Sequence, residues 1–469
     1  MSHEFLLDVS RLQFATTAAF HMTFPAVTVG LGMFLALMYG MYMRTNNEIY
    51  LTIYRFWRKI FAIGFGLGVV AGIVLTFEFG LNWGRYAHAV GPILGVIIGM
   101  EVVTAFFLEA GFLGIMIYGD GRVGKRMMFF ATCMVAIGAF LSTTWILAAN
   151  SWMQSPAGYE LVNGQFRPTD WWEAIVNPSF VWRYPHMLIG VLLAASLLVT
   201  GVGAWYLIRG THRDFARRTF SLGLGVISIL IPIQLFVGDS VARFMIVNQP
   251  SKIEAMEGNW NSTNTGWNVF VIPDQQDQRN LVQVSIPCYG SILAGDWSCQ
   301  TPVPGLKNTP SERQPPMVFT FWGFRTMFYM AAAIFVLTAT GTLLRLRGRL
   351  YSTKWFHWLA LLLLPSGVLA IIAGWVTAET GRQPWVVYGQ LLTSNAVSPL
   401  SPYLVLGSLL AFVGTYAALL SIYIYYVVRL VRAGPDDPEA TSIAPRRPGL
   451  GPQVRPVAGA ADEPDATVS

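Results

Sequence analysis

The sequence predicts an all-α fold: a polytopic membrane helix bundle of nine transmembrane helices, with the N-terminus outside and the C-terminus cytoplasmic. Composition is the first reason. Of 469 residues, 54% are apolar and only 12% charged, about half the charged share of a water-soluble chain. Nine charge-poor windows then recur, each near the roughly 20 residues that a helix needs to cross hydrocarbon. Connections rich and poor in Lys and Arg alternate between them, as the positive-inside rule requires. A soluble enzyme and a nucleic-acid binder are excluded, and the net charge of +6 reports membrane orientation.

In chain order the windows are 15–42, 60–80, 91–118, 127–149, 184–208, 219–247, 318–344, 355–378 and 403–428. The first is too long and too internal for a signal peptide and is expected to remain as a helix. Connections carrying Arg44, Arg55, Arg58 and Lys59, then Arg122, Lys125 and Arg126, then Arg209, Arg213, Arg217 and Arg218, then Arg345, Arg347, Arg349 and Lys354 face the cytoplasm. Those near Arg85 and over 150–183 are poor in Lys and Arg and rich in Trp (Trp83, Trp152, Trp171, Trp172, Trp182), so they face outward. Residues 1–430 thus read as one nine-helix membrane domain. The connection 248–317 breaks the pattern with about seventy residues rich in Asn, Gln, Pro, Gly and Ser, a length that is usually functional. The Pro, Ala and Gly composition of 431–469 reads as a disordered cytoplasmic tail.

A charge at the bilayer centre costs about 2.5 to 3.5 kcal/mol, so each one needs a reason. The third window continues through Glu101 and Glu109. On an ideal helix they stand about 80° apart in azimuth and about 12 Å apart in height, so both can face one internal compartment. A proton path or a cofactor contact is expected of them. Three cysteines exclude a Cys-ligated cluster, so any metal must be held by His, Met or carboxylate. His3, His88, His212 and His357 fall at the terminus, in loops or on a rim, and are expected to be solvated or interfacial. His21 and His186 lie at a shared outer-leaflet depth. Met327 sits beside an intramembrane Arg325, which needs an anion, and Gly374-Trp375 leads to Glu379 and Arg382 at the same level. His, Met and Glu with arginines to bind propionates describe a heme pocket.

These segments resemble subunit I of the cytochrome bd quinol oxidases, with a short quinol loop. The motifs are Arg11-Leu12-Gln13-Phe14 with His21, Glu101 with Ala105-Phe106-Phe107-Leu108-Glu109, Asn150-Ser151-Trp152-Met153-Gln154, Tyr184-Pro185-His186, Gly238-Asp239, Phe324-Arg325-Thr326-Met327, and Gly374-Trp375 through Gly381-Arg382-Gln383-Pro384-Trp385. The resemblance implies a three-heme terminal oxidase of the bacterial plasma membrane. His186 and Met327 would be the axial pair of a low-spin heme b. His21 and Glu379 would be proximal ligands of a heme d (chlorin) and a high-spin heme b, with His21 on heme d the preferred of the two assignments. Arg11, Arg325, Trp375 and Arg382 would be further heme contacts. Lys252 and Glu257 would serve quinol oxidation, and Glu101, Glu109, Ser142 and Asn150 a proton path.

The resemblance also implies oxidation of quinol at the outer face and reduction of O2 to water with cytoplasmic protons, separating charge without a pump. Implied partners are subunit II of the oxidase, as a heterodimer, and small single-span accessory subunits, with no nucleic acid. No copper site is expected, because no histidine cluster occupies the inner half of the spans. The alternatives are a non-redox ion or proton carrier using Glu101 and Glu109, or a cytochrome b type quinone-redox subunit. Cys288 and Cys299 lie on the outer, oxidising side, while Cys133 is inside a span, so a Cys288–Cys299 disulfide is expected.

Overall fold

Away from water every backbone N–H and C=O must be satisfied within its own segment, so apolar runs fold as helices. A computed structural model describes residues 3–436 except 264 and 294–296. Among these residues nine helical segments are long and apolar enough to cross a membrane. They are built from α1 (His3–Thr23) with α2 (Pro25–Thr45), α3 (Glu48–Leu81), α4 (Gly84–Tyr118), α5 (Lys125–Gln154), α6 (Phe180–Arg209), α7 (Arg213–Asn248), α9 (Met317–Leu346), α10 (Lys354–Leu362) with α11 (Ser366–Thr380), and α12 (Pro402–Ala433). The short α8 (Pro250–Glu257) follows α7. The expected tail lies almost wholly outside the described residues.

Several boundaries differ from the sequence expectation, each for a local reason. The first segment starts at His3 and is interrupted at Phe24. Pro25 has no N–H to give the His21 carbonyl, which accepts instead from the Phe24 N–H at 3.2 Å. The second begins at Glu48, so Arg55, Arg58 and Lys59 are helical and not in a loop. Arg58 is tolerated there because it donates to the Met116 carbonyl at 2.9 Å and to Asp120 at 2.6 Å. Two π-helical turns, Gly91–Gly95 and Val102–Phe106, widen α4. The second lies between Glu101 and Glu109, so the ideal-helix offset expected for that pair does not hold.

Apolar contact gains little between helices in lipid, so close approach of small residues does more of the packing. A Cβ on Gly30 of α2 would stand 2.6 Å from the Val191 carbonyl of α6, and one on Gly223 of α7 only 2.4 Å from the Thr200 hydroxyl of α6. Where α2, α3, α5 and α6 meet, Leu31, Tyr54, Trp57 and Phe61 are fully enclosed. His357 departs from the interfacial expectation: it is 1% exposed, and its Nε2 lies 2.9 Å from the Leu350 carbonyl.

Short antiparallel hairpins occupy the connections: β1 (Tyr159–Val162) with β2 (Gln165–Pro168), β3 (Trp267–Asp274) with β4 (Arg279–Ile286), and β5 (Trp385–Val387) with β6 (Leu391–Leu392). The connection after α7 has a core of its own, in which Ala255, Trp260, Val271 and Leu306 pack on Met317 and Phe321 at the start of α9. Asn268 ties this core to α8, donating to the Glu257 carbonyl at 2.8 Å.

Cys288 and Cys299 are joined, with Cα atoms 5.0 Å apart. Peptide mapping of the unreduced protein should recover the two as one linked species. Cys288→Ser should cost roughly 3 kcal/mol of loop stability by the chain-entropy estimate, read as faster proteolysis within 288–299. Two freely alkylated thiols in native protein would contradict the pairing.

Candidate functional site

The site is assembled from helix ends. α5 ends at Gln154, α6 begins at Phe180, α7 ends at Asn248, and α11 ends at Thr380, so side chains near these termini converge. Glu379 is the anionic centre. Its Oε1 accepts from Asn150 Nδ2 at 2.9 Å and Gln154 Nε2 at 3.4 Å, and its Oε2 is paired with Arg382. Lys252 Nζ donates to Gln154 Oε1 at 2.6 Å, and Gln249 Nε2 donates to the Gln154 carbonyl at 2.6 Å. Lys252 is wholly enclosed. Burial holds its ammonium well below the usual lysine range, the charges of Arg183 and Arg382 push the same way, and Glu379 opposes them.

Glu257 was expected to act with Lys252, and the two diverge. Five residues apart on α8, they point roughly 140° away from each other. Glu257 Oε2 instead accepts from Arg325 Nη2 at 2.8 Å. Arg325 is 0% exposed, donates from Nε to the Asn268 carbonyl at 2.6 Å, and lies 4.3 Å from the Trp267 ring centre and 4.7 Å from that of Phe321. A solvated surface pair is therefore excluded for Lys252 and Glu257. At the rim, Arg11 of α1 donates to Gln383 Oε1 at 2.8 Å and lies 3.8 Å from Asp8.

The three candidate ligands other than Glu379 are half-buried on different helices. His21 Nδ1 lies 3.1 Å from the Gly68 carbonyl. Donation there fixes the tautomer and leaves Nε2 with its lone pair free, the arrangement that suits a metal ligand. His186 of α6 sits against Gly238 of α7, where a Cβ would come within 3.3 Å of Cε1. Met327 of α9 sits against Gly374 of α11, where a Cβ would come within 2.7 Å of the sulfur. Trp375, half-buried, follows Gly374 directly.

Glu101 and Glu109 form a separate group, and both face α5. Ser142 donates to Glu101 at 2.7 Å. Glu109 is 7% exposed and packs on Gly138, where a Cβ would stand 2.4 Å from its Cγ. Gly138 and Ser142 are one turn apart, and Asn150 lies about 12 Å further along the same helix. α5 therefore meets Glu109 at Gly138, Glu101 at Ser142 and Glu379 at Asn150.

Sequence reasoning missed four residues. Glu78 is 2% exposed and accepts from Thr17 at 2.6 Å; its signal was a carboxylate inside the window 60–80. Arg183 and Gln249 had only their polar type near a span end to mark them, and Gln154 stood in the motif Asn150-Ser151-Trp152-Met153-Gln154 without a role assigned to it.

Hemes carry carboxylates, and these residues fit such a group. Among the described residues, Arg11 Nε, Arg183 Nε, Arg325 Nη1, and Arg382 Nε and Nη1 are buried without a hydrogen-bond partner, as is His186 Nδ1. Unpaired guanidinium N–H groups in a low dielectric are costly, and anionic oxygens satisfy them best.

Comparison with known proteins gives the same direction. Cytochrome bd ubiquinol oxidase subunit 1 of Bacillus subtilis (strain 168) is 33% identical, over 91% of this chain and 94% of that protein. Cytochrome bd-II ubiquinol oxidase subunit 1 of Escherichia coli (strain K12) is 32% identical, over 92% and 97%. The bd oxidase structure from Geobacillus thermodenitrificans superposes with a TM-score of 0.85 at 27% identity, covering 93% of this chain and all (100%) of that one. Residues 9–435 match the cytochrome bd terminal oxidase subunit I family. With nine candidate spans and this match along almost its whole length, the chain belongs to that family and is a multi-pass bacterial membrane protein.

Proposed function

We propose that this chain is the quinol-oxidising, oxygen-reducing subunit of an electrogenic terminal oxidase with three hemes. The single observation that carries the reading is the set of unpartnered arginine N–H groups gathered around Glu379 and Glu257. When bound, the hemes would supply one-electron transfer and the site where O2 is reduced to water. His186 and Met327 would hold the low-spin heme b. His21 and Glu379 would hold heme d and the high-spin heme b, with His21 on heme d preferred. Arg11, Arg183, Arg325 and Arg382 would receive their carboxylates, with Trp375 alongside.

Quinol oxidation releases protons, and the core of the connection after α7 offers groups to receive them. Glu257 is the acceptor in this reading. Arg325 beside it holds and aims the carboxylate, and a proton arriving there would have a short way to the outer surface. Lys252, expected to serve quinol oxidation, would do so from within: enclosed beside Gln154, it binds and orients the polar cluster and does not meet bulk solvent. On the other side of the reaction, Glu109, Glu101 and Ser142 would pass protons from the cytoplasm along α5 toward Asn150. Protons leaving outside and entering from inside separate charge without a pump, given an N-terminus outside and a cytoplasmic C-terminus. The relatives' names support a second subunit and quinol as substrate. Small accessory subunits complete the proposed assembly.

Replacing His186 or Met327 with Ala should remove one heme b and abolish quinol oxidation, because a six-coordinate site loses an axial bond. The check is a reduced-minus-oxidised spectrum of the purified complex. A full low-spin band in Met327→Ala would show that another residue is the ligand.

Glu109→Gln keeps the side-chain shape and removes the titratable proton. Turnover should fall about 100-fold, the low end for a lost proton-transfer group, while heme content stays constant. Glu101→Gln should disturb the heme d absorption more. Wild-type oxygen consumption in both variants would leave the two carboxylates as packing groups.

A further inference from the structure

At the far end of α7 from Gly238, a cavity of about 670 Å³ opens between the starts of α3 and α7 and the end of α9. Arg217, Arg218 and Arg345 line it. Each guanidinium is held in place by a neutral neighbour. Arg218 donates to the Tyr50 hydroxyl at 3.1 Å, Arg217 lies 5.1 Å from the Tyr351 ring centre, and Arg345 donates to the Ser221 carbonyl at 3.4 Å. The Ser221 and Tyr351 hydroxyls share a hydrogen bond of 2.5 Å, which ties the α7 and α9 sides together. Asp214 is the one acid in the lining, and no ion pair joins it to these arginines among the described residues.

Three converging guanidiniums with no carboxylate partner among the described residues suit an anion with several acceptor oxygens. What selects the anion is the wall. Ile49 and Leu222 line the same cavity, and beside Arg345 the α9 residues Leu343 and Leu346 are 46% and 81% exposed. The cavity therefore combines a cationic wall with the apolar side chains of Ile49 and Leu222, and it opens at the end of a membrane-spanning helix whose leucines are exposed. A free phosphate uses the first feature only. A diacyl phospholipid with an anionic headgroup uses both, its phosphate on the arginines and its chains along α9.

We propose that this cavity is a binding site for the headgroup of an anionic phospholipid, with Arg217, Arg218 and Arg345 as its phosphate-binding residues. The site is remote from the Glu379 cluster and independent of the heme reading. Its occupancy would clamp three helix ends that otherwise meet around open polar space.

The test is native mass spectrometry of the delipidated oxidase complex, titrated with phosphatidylglycerol, with phosphatidylcholine, and with inorganic phosphate as competitor. Phosphatidylglycerol should form one tight adduct that phosphatidylcholine does not. The double change Arg217→Gln with Arg345→Gln should weaken it at least about tenfold, whereas Arg347→Gln with Arg349→Gln, exposed arginines outside the cavity, should leave it intact. If the double variant does not assemble, Arg345→Gln alone is read by the same titration, with a several-fold loss expected. Unchanged affinity in the cavity variants overturns the proposal, as does an equal loss in the control pair, which would make the effect diffuse charge. Displacement by inorganic phosphate at concentrations matching the lipid's would also overturn it, since the ligand would then be a free anion.

Discussion

Cations held away from water impose the constraint on which the Glu379 end of this molecule depends. Lys252, Arg325 and Arg382 are enclosed, Arg183 is half-enclosed beside them, and among the described residues Glu257 and Glu379 are the carboxylates that answer them. Taking such ions out of water costs several kcal/mol each, recovered only where counter-charge and hydrogen bonds are well placed. The protein recovers part of it with amide groups. Asn150 and Gln154 fix the Glu379 carboxylate, Gln154 also takes the Lys252 ammonium, and Gln249 closes on Gln154. Among the described residues, Arg183 Nε, Arg325 Nη1, and Arg382 Nε and Nη1 remain buried without a hydrogen-bond partner. That imbalance is why a family whose members use heme, with its paired carboxylates, accounts for the site better than a carrier lined with fixed charges.

The same constraint explains the shape of the elements. Helices α1, α5, α6, α9 and α11 each bring one or two polar residues to the cluster from otherwise largely apolar spans. Glycines sit where the ligands need room, Gly374 against Met327 and Gly238 against His186, so that neighbouring backbone and not side chain forms the wall. Along α5, Gly138 and Ser142 let two carboxylates of α4 approach one face. The π-helical turn at Val102–Phe106 adds a residue between those carboxylates without adding a loop, a way to re-aim side chains inside a span.

Much of the fold was legible because hydrocarbon leaves helices as the only solution for long apolar runs, so Leu- and Phe-rich windows had to span. Boundaries were less legible. Arg58 looked like a loop residue until the Met116 carbonyl and Asp120 were seen to satisfy it from distant parts of the chain. Residue type and shared depth were enough to single out His21, His186, Met327, Glu379 and Arg325. Direction was not readable, because it depends on a short helix whose placement is set by tertiary contacts: Lys252 and Glu257 are neighbours in sequence and turn to different partners. Glu78 was passed over inside an apolar window, since nothing in its neighbours announces that Thr17 meets it from another helix.

The central claim is that the buried arginine N–H groups left without a partner among the described residues, and the half-buried His and Met side chains, form cofactor sites. Absorption spectroscopy with heme quantification on the purified wild-type complex tests it most directly. The expected result is a coloured protein with three hemes per copy of this chain, two of b type and one chlorin with its own long-wavelength band. A colourless preparation that retains both subunits and an intact fold would contradict it.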